Sequence, residues 1–168
     1  NYHLWEPCNM RCKFCFAPFY DAKKLLPKGH LPKEKSLELI QRIADFGFQK
    51  ITFAGGEPTL CPWISELIAF AKEKGLTTML VTNGTRLTEE FLNSNKNHLD
   101  WIILSIDSAD DETNIHSGRA VTGKTPVSLQ SFKIFIDAIK KHGYRLKINT
   151  VVHRLNYKDS MLELINYA

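Results

Sequence analysis

The sequence of 168 residues lacks a long apolar run and lacks a strong excess of either charge. A helix that spans a membrane needs about 20 consecutive, mainly apolar residues, so we expect no membrane segment in this chain. The formal net charge is +4, and the basic residues are scattered along the sequence, which argues against nucleic acid as a partner. Hydrophobic residues make up 43% of the chain, an ordinary share for one globular domain with its own core.

Cysteine is also scarce. The chain has four, and three of them fall in the segment CNMRCKFCF at residues 8–16. A disulfide framework uses an even number of cysteines, and a closed zinc site uses four ligands. Free thiols favour a reducing compartment, so we expect a cytoplasmic protein. The fourth cysteine, Cys61, lies far along the chain at the start of a predicted helix, a position that can make a thiol reactive. We expect instead a small buried residue outside any metal site.

The three clustered thiols belong to Cys8, Cys12 and Cys15. Thiolates hold Fe–S clusters, and three protein ligands on a [4Fe–4S] cluster leave one iron open to another ligand, as in catalytic zinc sites. The alternative is a zinc site that His3 or His30 completes, although the spacing matches no common zinc module. The pattern therefore favours a metal centre with one open position.

Strands and helices alternate along the sequence. Apolar, β-branched and aromatic segments predict strands at residues 2–6, 49–54, 76–82, 100–107 and 144–152. The helical spacing of apolar residues predicts helices at 33–46, 62–75, 88–95, 125–143 and 156–168. Thr88 is the predicted N-cap of the third helix. These five βα units predict an α/β fold with a parallel sheet buried on both faces, either a partial (β/α) barrel or a doubly wound sheet. The last helix shows neither a glycine cap nor a proline stop, so we expect the domain at 1–168 to continue at its C-terminal end.

Polar motifs lie at the ends of the predicted strands. After the cysteine loop come GGEP at 55–58, TNG at 82–84, SIDS at 105–108 and INT at 148–150. In either architecture the chemistry gathers at the carboxyl ends of the strands. Glycine pairs allow a backbone to approach a ligand closely, and Glu57 adds a carboxylate. We therefore expect the active site at this edge of the sheet.

The cysteine spacing, with Phe14 before the last cysteine, resembles the CxxxCxΦC motif of the radical SAM superfamily, and GGEP resembles its GGE motif. Several segments also resemble, in the same order, the viperin family: NYHLWEPCNMRCKFCF, KITFAGGEP, TNGT, SIDSADDETN, GRAVTGK and LKINTVVHRLN. Thr52 and Ala54 depart from that family, which has asparagine and serine at these positions. The resemblance implies a partial (β/α)6 TIM-type barrel of the radical SAM kind, of which this chain shows five βα units.

The resemblance further implies the cofactors and the reaction. Cys8, Cys12 and Cys15 would bind a [4Fe–4S] cluster. The residues implied for S-adenosylmethionine are Phe14, Gly55, Gly56, Glu57, Asn83, Ser105 and Arg119, among which Ser105 and Arg119 would hold its carboxylate. An external electron donor would drive cleavage to a 5′-deoxyadenosyl radical, which takes hydrogen from C4′ of a ribonucleoside triphosphate (CTP, GTP or UTP). Loss of the 3′-hydroxyl as water, with a proton and a second electron from the external donor, would give a 3′-deoxy-3′,4′-didehydro nucleotide, an antiviral chain terminator.

The candidate substrate residues are Asn1, His3, Lys50, Lys147 and Asn149. Lys147 and Asn149 share one side of a strand because they are two positions apart. A lysine that points into a barrel favours an anion such as a triphosphate. Two alternatives stay open: Lys147 reaches solvent at the strand end, and Lys50 is a surface residue.

Lys124 in TGKT is a further loop cation that could contact phosphate. Residues 118–125 match the letters of a P-loop, but no strand precedes them, which argues against that motif.

Two other functions compete with the dehydratase. One is a radical SAM enzyme that modifies a cofactor or a peptide. The other is a non-catalytic Fe–S electron carrier, in which GGEP and Arg119 would have no role.

Overall fold

A computed structural model describes residues 1–15, 29–121 and 127–168. Its strands are β1 (Tyr2–Trp5), β2 (Lys50–Gly55), β3 (Thr77–Thr82), β4 (Trp101–Ser105) and β5 (Arg145–Asn149). Its helices are α1 (Lys33–Asp45), α2 (Ile64–Glu73), α3 (Glu89–Asn95), α4 (Asp111–Ser117), α5 (Leu129–Lys141) and α6 (Leu162–Tyr167), with a 3-10 turn at Pro58–Leu60. No helix in these ranges has both the length and the apolar composition needed to cross a membrane.

The strands form one sheet in sequence order, β1-β2-β3-β4-β5, and every neighbouring pair is parallel. A doubly wound sheet reverses its strand order at a switch point, so the observed order excludes that alternative. Right-handed crossovers between successive parallel strands place the helices on one side of the sheet, as in a (β/α) barrel. The predicted α/β fold with five βα units is confirmed, in the form of a partial barrel.

The two faces of the sheet differ in burial. The helix-covered face carries the core residues Ile51, Phe53, Leu80, Ile102 and Leu104, each at most 4% exposed. The other face carries mostly half-buried and exposed residues, and it is the inner face of the partial barrel. The prediction of a sheet buried on both faces is therefore wrong for the described residues, because no second layer of helices covers the inner face there.

Capping side chains explain several element boundaries. The predicted cap Thr88 is confirmed, since its Oγ1 accepts a hydrogen bond from Phe91 N at 3.1 Å. Helix α5 begins at Leu129, later than predicted, because Ser128 caps it and accepts from Ser131 N. Helix α4 was not predicted, since its seven residues carry a single large apolar side chain and give no helical period. Asp110 caps its start by accepting from Thr113 N at 2.7 Å.

Candidate active site at the carboxyl ends of the strands

The cysteine loop follows β1 at the carboxyl edge of the sheet. Cys8 and Cys12 are half-buried, Cys15 is exposed, and all three thiols are free. Burial raises the pKa of Cys8 and of Cys12, and the neighbouring thiols raise it further. Within the described ranges no group of three or more side chains is placed to hold a metal ion, but three thiols in one loop are the donor set that Fe–S clusters use. The chemistry of the loop therefore fits such a cluster.

Gly55 and Gly56 hold the start of the cysteine loop against β2. A Cβ on Gly55 would lie 2.3 Å from Trp5 O, and one on Gly56 would lie 2.3 Å from Glu6 O and 2.4 Å from Pro7 O. Gly56 N donates to Trp5 O at 2.6 Å. The sequence suggested that these glycines admit a ligand, whereas the atoms that approach them in the structure belong to the backbone of residues 5–7.

Glu57 connects the ends of β2 and β3. It is 1% exposed, and its Oε1 accepts from Thr59 N at 3.1 Å, Thr59 Oγ1 at 2.6 Å and Thr82 Oγ1 at 2.7 Å. Its Oε2 accepts from Asn83 N at 2.8 Å. Burial raises the pKa of Glu57, and these four donors oppose that rise by stabilising the carboxylate. The carboxylate thus orders the loop that follows β3.

Asn83 contacts the cysteine loop. Its Nδ2 donates to Asn9 Oδ1 at 2.9 Å, Asn9 Nδ2 donates to Thr85 Oγ1 at 2.9 Å, and Thr85 Oγ1 donates to Asn83 Oδ1 at 2.6 Å. The sequence motifs pointed to Asn83 but to neither Asn9 nor Thr85 as a site residue. A single asparagine in a loop is an ordinary turn residue, so the sequence carried no signal for this contact.

Arg119 and Asp107 form a buried ion pair, 7% and 2% exposed respectively. Arg119 Nε and Nη2 lie 2.6 Å and 2.5 Å from Asp107 Oδ2, and Asp107 Oδ1 accepts from Val151 N at 2.9 Å. This last bond replaces pairing with β4 and explains why β5 ends at Asn149, earlier than predicted. Asp107 was not selected from the sequence, although its place in SIDS after a strand was a usable signal.

Phe14 contacts both Arg119 and His153, and His153 was not among the candidates from the sequence. Its ring stacks on His153, with centroids 4.5 Å apart and an interplanar angle of 24°. The Arg119 guanidinium carbon lies 5.8 Å from the Phe14 centroid. A cavity of about 280 Å³ beside this stack is lined by Lys13, Phe14, Ser117, His153, Arg154 and Leu155. The cysteine loop thus meets the segment that follows β5.

The inner face of the sheet carries the candidate substrate residues. Side chains alternate between the two faces along each strand, and the register aligns the strands with one another. The inner face therefore carries His3, Lys50, Lys147 and Asn149. Asn1, two residues before His3, has the same alternation. Asn149 pairs with Ser105 at the carboxyl end of β4, whereas Lys50 begins β2 at the opposite end. Lys147 is exposed, so burial gives no reason for an anion there. Arg145, which the sequence analysis did not select, also lies on this face.

Four other residues were considered from the sequence: His30, Cys61, Gly118 and Lys124. His30 packs on Trp5, with ring centroids 4.1 Å apart. Cys61 is 2% exposed, which confirms it as a buried small residue. Gly118 ends α4 at φ 82° and packs against Arg11 O, which is unlike the start of a P-loop. Lys124 lies outside the described residues.

The chain is similar to known proteins over nearly its whole length. The model of the Radical SAM superfamily matches residues 4–168. Over the whole chain, identity is 58% to an S-adenosylmethionine-dependent nucleotide dehydratase of Lacinutrix mariniflava, of which the chain covers 36%. Identity is 55% to a protein of the same name from Flammeovirga pacifica, of which it covers 58%. The chain therefore spans less than two thirds of the length of these curated relatives.

A solved structure has the same fold. The crystal structure of Streptococcus suis SuiB bound to S-adenosylmethionine matches 97% of this chain with a TM-score of 0.76. The sequence identity is 18%, and the match covers 36% of the SuiB chain. At this identity the likeness concerns the arrangement of strands and helices.

Proposed function

The chain belongs to the radical SAM superfamily, and from this premise we propose that it carries the catalytic core of a nucleotide dehydratase of the viperin type. One observation carries the proposal: the thiols of Cys8, Cys12 and Cys15 share a loop at the carboxyl edge of a sequence-ordered parallel sheet. The whole-length identity to relatives named S-adenosylmethionine-dependent nucleotide dehydratase supports the reaction. The free thiols support a reducing, cytoplasmic setting.

Cys8, Cys12 and Cys15 would hold a [4Fe–4S] cluster. When bound, the cluster and S-adenosylmethionine supply the 5′-deoxyadenosyl radical that takes hydrogen from C4′ of the substrate. The residues proposed to line the S-adenosylmethionine site are Phe14, Gly55, Gly56, Glu57, Asn83, Ser105 and Arg119. Among them, the buried Arg119 would meet the carboxylate, because a guanidinium forms paired hydrogen bonds with that group.

The substrate proposed is a ribonucleoside triphosphate (CTP, GTP or UTP), with an external electron donor as the second partner. Asn1, His3, Lys50, Lys147 and Asn149 would contact it from the inner face of the sheet. Lys147 supplies positive charge for the phosphates, and Asn149 lies next to Ser105, at the strand ends nearest the cysteine loop. A substrate seated on this face would be shielded from water by the sheet on one side, which limits side reactions of a radical.

The test is a product analysis. The protein is reconstituted anaerobically with iron and sulfide, reduced, and given S-adenosylmethionine with CTP, GTP, UTP or ATP in turn. We expect mass spectrometry to show 5′-deoxyadenosine together with a nucleotide lighter by one water, and Cys12→Ala to abolish both.

Two results would contradict the proposal at different levels. Formation of 5′-deoxyadenosine with every nucleotide unchanged would keep the radical chemistry but reject the dehydratase, in favour of an enzyme that modifies a cofactor or a peptide. An absence of 5′-deoxyadenosine in the reduced, cluster-loaded protein would reject the radical chemistry itself.

A further inference from the structure

The side chains of Asn9, Asn83 and Thr85 form a closed ring of hydrogen bonds, which we call the Asn9 ring. Each side chain donates once and accepts at least once around the ring, over distances of 2.6–2.9 Å. Thr85 N also donates to Asn83 Oδ1 at 3.0 Å. Because both amides are engaged at nitrogen and at oxygen, reversal of either amide would set like groups against each other. The ring therefore specifies one orientation for each of its members.

Two members of the Asn9 ring, Asn83 and Thr85, lie in the turn that directly follows β3. Asn83 follows β3 directly and is 6% exposed, and its backbone N–H donates to the buried Glu57 carboxylate at 2.8 Å. Thr85 lies two residues further along the same turn. Asn9, by contrast, belongs to the cysteine loop and follows Cys8 immediately. The ring therefore fastens the cysteine loop to the end of β3.

The position of Asn9 affects the environment of a cysteine sulfur. The next residue, Met10, is 4% exposed, and its backbone N–H donates to Cys8 Sγ at 3.4 Å. Hydrogen bonds to the sulfurs are among the factors that set the reduction potential of an Fe–S cluster. An anchored Asn9 thus fixes the direction of the N–H that reaches the first cysteine.

We propose that Asn9, Asn83 and Thr85 are positioning residues that hold Cys8 in place for the cluster. The inference rests on the cluster-binding part of the proposed function and adds to it residues that contact no sulfur themselves. Outer partners of this kind change metal affinity by about 10–100-fold when they are removed. For Asn83, the ring gives its side chain a role in the protein apart from the contact with S-adenosylmethionine proposed above.

The test measures how fast the cluster is lost. Wild type, Asn9→Ala, Thr85→Val, the double variant and Thr85→Ser are reconstituted, and the visible absorbance is followed after addition of an iron chelator. We expect loss about 10-fold faster in each of the first two variants. The double variant should be no faster than the faster single variant, because either change opens the same ring. Thr85→Ser keeps the hydroxyl and should behave as wild type.

A second readout is the midpoint potential, from a redox titration followed by EPR. We expect a more negative potential in Asn9→Ala, because the N–H of Met10 is no longer held toward Cys8 Sγ. The matched control is Asn95→Ala. Asn95 is a buried amide on α3 that donates to Ser65 Oγ and Phe91 O. Its loss should lower thermal stability while the rate of cluster loss and the potential stay unchanged.

Several outcomes would overturn the inference. Rates within about twofold of wild type in Asn9→Ala and Thr85→Val would do so, as would equal acceleration in Asn95→Ala. Failure of both apo variants to fold would show that the ring serves the fold rather than the cluster. A wild-type protein that takes up no cluster refutes the proposed function first, whereas a cluster held equally by all variants refutes only the role of the ring.

Discussion

One carboxylate oxygen of Asp107, Oδ2, accepts hydrogen bonds from two nitrogens of Arg119: Nε at 2.6 Å and Nη2 at 2.5 Å. The other oxygen accepts from Val151 N at 2.9 Å, so the carboxylate is itself fixed. Arg119 Nη1 lies 4.0 Å from the Met10 sulfur. The pair therefore holds a buried guanidinium in one orientation, which supports the role proposed for Arg119.

Asp107→Asn should weaken S-adenosylmethionine binding by about 10-fold, since the guanidinium loses its charged partner and its orientation. Removing one member of a buried pair should also lower the free energy of unfolding by about 3–5 kcal/mol. Equilibrium dialysis and urea denaturation measure the two effects. Glu38→Gln, which removes the charge from an exposed pair with Lys35 on α1, is the control and should change neither. Wild-type affinity in a folded Asp107→Asn protein would separate Asp107 from the site.

Cys12→Ala should abolish cluster binding, because two thiolates cannot replace three in holding the cluster. Iron content and visible absorbance after anaerobic reconstitution measure the loss. Cys61→Ala is the matched control, since Cys61 is a buried free thiol outside the loop, and it should retain the full cluster. An intact iron spectrum in Cys12→Ala would remove this residue from the ligand set.

Lys147→Ala should weaken nucleoside triphosphate binding while sparing S-adenosylmethionine. A charge-assisted hydrogen bond contributes about 1.5–3 kcal/mol, which corresponds to roughly 10–100-fold in the dissociation constant. Calorimetric titration with each ligand measures the difference. Lys35→Ala, an exposed lysine on α1, should leave both affinities unchanged. Equal nucleotide affinity in Lys147→Ala and wild type would place Lys147 outside the pocket.

Gly56→Ala should destabilise the fold by about 3 kcal/mol and prevent normal cluster uptake. Its Cβ would lie 2.3 Å from Glu6 O and 2.4 Å from Pro7 O, and backbone atoms cannot rotate away as a side chain does. Gly75→Ala is the control, because its Cβ meets no atom within 4 Å and only its φ of 81° is unfavourable. That change should cost about 1–2 kcal/mol and leave the cluster intact. Similar cluster loss in both variants would contradict the steric account.

Stability should fall as pH rises from 10 to 12 through the ionisation of Tyr144. Burial raises its pKa from 10.0 to about 12, and its hydroxyl donates to Leu92 O at 2.5 Å. Between these two values the unfolded chain releases the proton while the folded chain keeps it, so rising pH favours unfolding. Urea midpoints for wild type and Tyr144→Phe isolate this contribution. Parallel curves for the two proteins over this range would show that Tyr144 has no raised pKa.

The sequence by itself determined the features that depend on neighbouring residues. Apolar spacing predicted all five βα units, and the Thr88 cap followed from the residues beside it. The three clustered cysteines and the motifs at strand ends located the candidate site, because parallel strands bring their carboxyl ends to one edge. The cysteine spacing also resembled the superfamily to which the family comparison then assigned the chain.

Only the tertiary structure decided features that join distant segments. Periodicity is the same in a barrel and in a doubly wound sheet, and strand order alone separates them. The pairing of Asp107 with Arg119 and the Asn9 ring join loops far apart in sequence, and no local pattern encodes such contacts. The contact of Gly55 and Gly56 with residues 5–7 is of the same kind. These contacts depend on which strand ends become neighbours, and that is settled by the packing of the whole sheet.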